Sequence, residues 1–125
     1  MYAIDLTGIQ QWLVNQLEGI AEDIFVDKIP KAMPTKLNTY LLLQSGSRVM
    51  DYGAFQRMSI TINVVAKDRQ QGFANKTEVN RMVNDVLALF PMVNDKYSVI
   101  SPIVSPSKTI TGFSYASITA ELTIK

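Results

Sequence analysis

The chain has 125 residues, 12 Lys and Arg against 11 Asp and Glu, and no Cys or His. One chain therefore holds no disulfide framework, thiolate zinc site, Cys nucleophile or His-based triad. A net charge of +1 supplies no global field toward nucleic acid or an acidic membrane. At 47% hydrophobic and 18% charged residues the composition is that of one folded domain spanning 1–125, long enough to bury about two-thirds of its extended surface.

The first element is a helix. Ile9, Trp12, Leu13, Leu17 and Ile20 step around one face. Asp5 or Thr7 supplies the cap and Gly19 lies near the end. Trp12 reads as a core anchor from its place on that stripe. Met1–Asp5 has no basic and apolar leader pattern, and no apolar run approaches the roughly 18 residues of a membrane span. The expectation is a soluble intracellular protein without membrane contact.

Ile24–Ile29 is a short strand candidate. Pro30 and Pro34 bracket a loop, Thr39–Leu43 reads as a strand covered on both faces, and Gln44–Ser47 as a turn. A long strand follows. Met58, Ile60, Ile62, Val64 and Ala66 alternate with Arg57, Ser59, Thr61 and Asn63, and Val65 breaks the polar side. The stretch from Lys67 to Lys76 is a polar loop containing Gly72.

Asn75 then caps a second helix, with Glu78 in box-like spacing. Val79, Met82, Val83, Val86, Leu87 and Phe90 form the clearest helical stripe in the chain, and Pro91 limits it. Tyr97–Val104 is a strand that Pro102 marks as an edge or a bulge, and Ser105–Lys108 reads as a turn. The last strand sends Ala116, Ile118, Ala120, Leu122 and Ile124 one way and Ser117, Thr119, Glu121 and Thr123 the other. The expected fold is α+β: a mostly antiparallel sheet with two main amphipathic helices packed on it.

No catalytic motif is present and no Gly-rich phosphate loop occurs. Glu22, Asp23 and Asp27 are too few and too spaced for a dedicated calcium loop. The expectation is no enzyme, no cofactor and no metal. Lys28, Lys31 and Lys36 lie in nine residues without an acid, a local basic patch that is either a solvated loop or a contact for a polyanion or acidic partner. Arg69 and Phe73 lie in the second irregular loop. Phe73 either staples the following helix onto Val79 or anchors a partner interface. Phe113 and Tyr115 share a strand face and could stack bases, unless a bulge at Gly112 turns both inward. The outer strand faces carry Thr61, Asn63, Thr111, Ser117, Thr119 and Thr123, neutral side chains compatible with burial against another chain and equally with plain β propensity.

In the order of its elements the chain resembles the small tail-terminator, or tail-completion, proteins of long-tailed bacteriophages. The likeness lies in the amphipathic first helix, the Pro-containing loops, the strand Gln56–Asp68 ending in Val64-Val-Ala-Lys-Asp68, the helix Glu78–Phe90 and the long terminal strand. The resemblance implies a non-enzymatic virion subunit, assembled in the host bacterial cytoplasm. It implies a homo-oligomeric ring, commonly a hexamer, that caps the tail tube and docks to the head connector, with only weak transient contact with DNA. Lys28, Lys31, Lys36, Arg69 and Phe73 are then candidate interface or lumen residues. Other head–tail joining proteins share this style. The alternative from a different class is a monomeric α+β protein-binding adaptor module.

Overall fold

The computed structural model describes residues 5–28, 37–68, 75–110 and 112–125, with the side chains of 47 and 106–110 left out. The elements run α1 (Leu6–Leu17), β1 (Asp23–Val26), β2 (Thr39–Asp51), β3 (Gln56–Lys67), α2 (Lys76–Leu87), β4 (Met92–Val93), β5 (Tyr97–Ile110) and β6 (Phe113–Ile124). All six strands join one sheet in the order β1-β2-β3-β6-β5-β4. The β1–β2 pair is parallel and every other pair is antiparallel. The fold is α+β, strand-rich, with β3 and β6 at its centre.

The long period-2 stretches become the two central strands because alternation gives each an apolar face. Met58, Ile60, Ile62 and Val64 of β3 sit opposite Leu122, Ala120, Ile118 and Ala116 of β6. Leu41 and Leu43 extend this apolar face across β2. Ile9, Leu13 and Leu17 of α1 and Val79, Met82 and Val86 of α2 bury into the same cluster. The core therefore lies on one side of the sheet, under both helices.

Both helix starts follow their caps. The Asp5 carboxylate accepts from the Gly8 N–H at 2.9 Å, and the Asn75 side-chain oxygen accepts from the Glu78 N–H at 3.4 Å. Glu78 does not close a reciprocal box at Asn75; its carboxylate is taken by Arg81. Trp12 stands at the rim of the core rather than inside it, half-buried, with its ring 5.4 Å from that of Tyr97.

Two expected turns are strands. Residues 44–47 continue β2, with a register shift between Ser45 and Val49. Gly46 is required there by contact: a Cβ would lie 2.4 Å from the Ser59 Oγ and 2.9 Å from the Ser59 carbonyl oxygen. The hairpin turns instead at Tyr52–Phe55. Gly53 takes φ +84°, its N–H donates to the Asp51 carboxylate at 2.8 Å, and the Tyr52 N–H donates to the Phe55 carbonyl at 2.9 Å. Residues 105–108 likewise stay in β5, crossing a second register shift, and the chain reverses at Gly112 (φ +82°). The Ser, Gly and Pro residues that look like turn signals in sequence are absorbed here as bulges. Pro102 falls at the first shift in β5, between Ile100 and Ile103.

Candidate functional site

The second face of the sheet is the candidate site, since both helices pack on the other one. Its centre is a neutral hydrogen-bonded patch built from adjacent strands. Asn63 of β3 pairs in register with Leu42 of β2 and Ser117 of β6. The Ser117 hydroxyl donates to the Asn63 side-chain oxygen at 2.6 Å. The Asn63 amide donates to the Gln44 side-chain oxygen at 2.9 Å, and lies 3.4 Å from the Leu42 carbonyl. One row over, the Thr61 and Thr119 hydroxyls lie 3.4 Å apart. These bonds hold short polar side chains in place without charge.

Aromatic groups bound the patch at one end. Phe25 meets Tyr40 edge-on with centroids 5.5 Å apart, and Tyr40 meets Phe113 at 6.3 Å. Val65, the residue that breaks the polar alternation, is buried between the Tyr40 and Tyr115 positions in its row. Burial pushes the Tyr40 phenol above its ordinary value. Phe113 and Tyr115 keep unbroken alternation with β3, so both stay on this face and no bulge turns them into the core.

At the opposite end Tyr52 and Phe55 stack with centroids 4.9 Å apart. The Arg57 guanidinium lies over both, 5.8 and 5.4 Å from their centres. Arg57 is also 4.0 Å from the Glu121 carboxylate, and its buried Nε has no protein hydrogen-bond partner.

A shallow cleft of about 490 Å³ lies elsewhere, where the end of α1, the start of β2 and the start of α2 meet. Its cation, Arg81, is already committed. It bonds Glu78, bonds Asp85 at 2.7 Å, and donates to the Ile20 carbonyl at 3.0 Å. The Glu22 carboxylate accepts from the Asn38 N–H at 3.1 Å. With its charged groups spent on tying α2 to the exit of α1, the cleft is a structural clasp.

The acidic residues singled out in the sequence do not converge. Glu22 holds Asn38, Asp23 accepts from the Ile24 N–H, and Asp27 accepts from the Gln10 amide of α1 at 3.1 and 3.2 Å. Among the described residues no group of three or more acidic side chains is placed to hold a metal ion. Lys28 is exposed in the bend after β1, its N–H donating to the Val26 carbonyl at 2.8 Å. Lys31, Lys36, Arg69 and Phe73 lie outside the described residues.

Sequence reasoning missed Gln44, Tyr40 and the Tyr52–Phe55–Arg57 cluster as surface features. Gln44 was hidden by the expected turn. The Asp51-Tyr-Gly53 sequence was the available signal for where the hairpin reverses.

No protein-family model matches the chain, and no curated protein matches it. A solved structure whose name states no function shares the fold with a TM-score of 0.65 at 13% identity, covering 98% of this chain and 97% of that one. At that identity the likeness shows the fold alone, an α+β domain. Among the described residues no helix is long and apolar enough to cross a membrane.

Proposed function

We propose that the protein is a non-enzymatic assembly subunit whose open sheet face and margins contact other protein chains. The observation that carries this reading is the second sheet face itself. It presents a fixed, neutral, hydrogen-bonded patch between half-buried aromatic rings, the mix of apolar area and satisfied polar groups found at protein interfaces. An enzyme would need convergent titratable groups in a pocket. Here the charged groups of the cleft are bound to one another and to the backbone.

Within that class, the particular reading is a bacteriophage tail-terminator or head–tail joining subunit, resting on the resemblance in element order. Its mechanism is heterologous ring closure on the tail tube. One ring face matches the tube. The other is chemically different, so no further tube subunit adds, and it docks the head connector. A net charge of +1 suits a lumen through which DNA passes without tight binding.

The test is solution mass by light scattering over a concentration series at two salt levels, followed by electron microscopy for a lumen. A closed ring of a few subunits supports the reading. A monomer at every concentration counts against it and moves the monomeric adaptor to first place, with partner capture as the next experiment.

A further inference from the structure

The sheet is a stepped tile. Near the amino-terminal end of β2 the registered rows run β1-β2-β3-β6-β5, for example Asp23–Tyr40–Val65–Tyr115–Lys108 and Val26–Leu43–Ile62–Ile118–Val104. Near its carboxyl end they run β2-β3-β6-β5-β4: Met50–Arg57–Thr123–Ser98–Val93 and Val49–Met58–Leu122–Val99–Met92. Each row is five residues wide, and the two sets are offset by one strand. β1 overhangs one margin at one end, and β4 overhangs the other margin at the other end. Among the described residues, nothing pairs with residues 44–51 of β2 on the β1 side or with residues 100–110 of β5 on the β4 side.

The geometry points to a side-by-side joint between copies of this chain, in which the β5–β4 margin of one receives the β1–β2 margin of the next. Three observations select a second copy as the occupant. First, the steps are complementary without any shift along the strands: the next copy's β1 fills the place beside β5, and β4 fills the place beside the next copy's β2. Second, strand direction fits. β3 and β5 run one way and β1, β2, β4 and β6 the other, so β5 meets an incoming β1 antiparallel, as most neighbours in this sheet already meet.

Third, the row ends match in chemistry. Met50 and Val93, at opposite ends of one row, are 50% and 56% exposed, and the joint brings these apolar positions together. The row that starts at Asp23 ends at Lys108, so opposite charges meet across it. Ile103 and Val104, also exposed, lie along the margin that β1 would cover. The register shifts in β2 and β5, with Pro102 at one of them, disfavour indiscriminate edge pairing and leave this one alignment.

The joint is heterologous: its two halves are different surfaces, so each copy keeps one free half until a ring closes. It rests on the assembly reading above and names the surfaces that reading requires. The experiment uses two variants of the full chain. Asp23→Lys with Met50→Lys blocks one margin, and Val93→Lys with Ile103→Lys blocks the other. Asn84→Lys, on the exposed face of α2, is the control, and far-UV circular dichroism checks folding of all three.

The expected result is an oligomeric wild type and control, each blocked variant alone at the 14.0 kDa of one chain, and an equimolar mixture of the two at about twice that mass. Only a joint of two unlike halves gives a dimer from two chains that are monomeric alone. Blocked variants that fold and keep the wild-type mass overturn the joint and leave the assembly reading standing. A mixture that stays monomeric also overturns it. A wild type that is monomeric up to its solubility limit overturns both.

Discussion

Replacing Gly46 by Ala tests whether β2 runs through residues 44–47. Gly46 does not need a positive φ, so the cost of the substitution is contact, not backbone strain. An added Cβ meets the Ser59 Oγ at 2.4 Å and the Ser59 carbonyl oxygen at 2.9 Å, well inside the 3.4–4 Å of ordinary contact. The hydroxyl can rotate away. The carbonyl belongs to β3, a central strand paired on both sides, and yields only if the bulge shifts by a few tenths of an ångström. Overpacking of this kind costs about 1–3 kcal/mol. The lower entropy of the unfolded Ala chain returns about 0.4–1 kcal/mol.

The net expectation for Gly46→Ala is a destabilisation of about 1–2 kcal/mol, a fall of about 0.5–1 M in the urea midpoint. Ser59→Ala in the same chain removes the side-chain clash and leaves the carbonyl. The double variant should therefore recover part of the loss, with a coupling of about 0.5–1 kcal/mol. Trp12, the single tryptophan, reports unfolding through its contact with Tyr97. All variants are compared at one protein concentration, because association adds to apparent stability. A Gly46→Ala chain as stable as the wild type, or more stable, refutes the argument. That is the behaviour of an open turn at residues 44–47.

The remaining predictions concern the core, the clasp and the outer face. Ile62 is fully buried between Leu43 and Ile118 in its row, so Ile62→Val should cost about 0.5–1.5 kcal/mol and Ile62→Ala about 2–5 kcal/mol in denaturant unfolding. Equal costs would deny the close packing. Arg81→Ala loses two half-exposed ion pairs worth about 0.3–0.5 kcal/mol each and a charged bond to the Ile20 carbonyl worth about 1.5 kcal/mol. The total is about 2 kcal/mol, of which 1 M salt should erase only the ion-pair share; a gap that salt abolishes would remove the Ile20 contact from the account. Tyr40 has its folded pKa raised, so its contribution is fully present below the unfolded value near 10 and is lost as pH rises through the folded value. Unfolding titrations at pH 9 and 11 should show a smaller alkaline loss for Tyr40→Phe than for the wild type, and identical losses would contradict the burial.

What the sequence by itself determined follows from periodicity. Strict alternation from Arg57 to Ala66 and from Ala116 to Ile124 has one physical solution, a strand with one buried face, and these became the paired centre of the sheet. The stripe from Val79 to Val86 could only be a helix, and Asn75 caps it. The α+β class was legible for these reasons, as was the edge position of the strand holding Pro102. Turns were less legible, because Ser, Gly and Pro serve a bulge as readily as a reversal. Gly46 is fixed by its contact with Ser59, thirteen residues on, and no local rule contains that contact.

Only the tertiary structure decided the rest. The parallel seat of β1 beside β2 sets the step in one margin, and the two-residue β4 sets the step in the other. The patch of Gln44, Asn63 and Ser117 joins residues 19 and 54 positions apart. Such neighbours depend on which strands pair and in what register. That is settled by burying one apolar face under two helices, a property of the whole chain rather than of any segment.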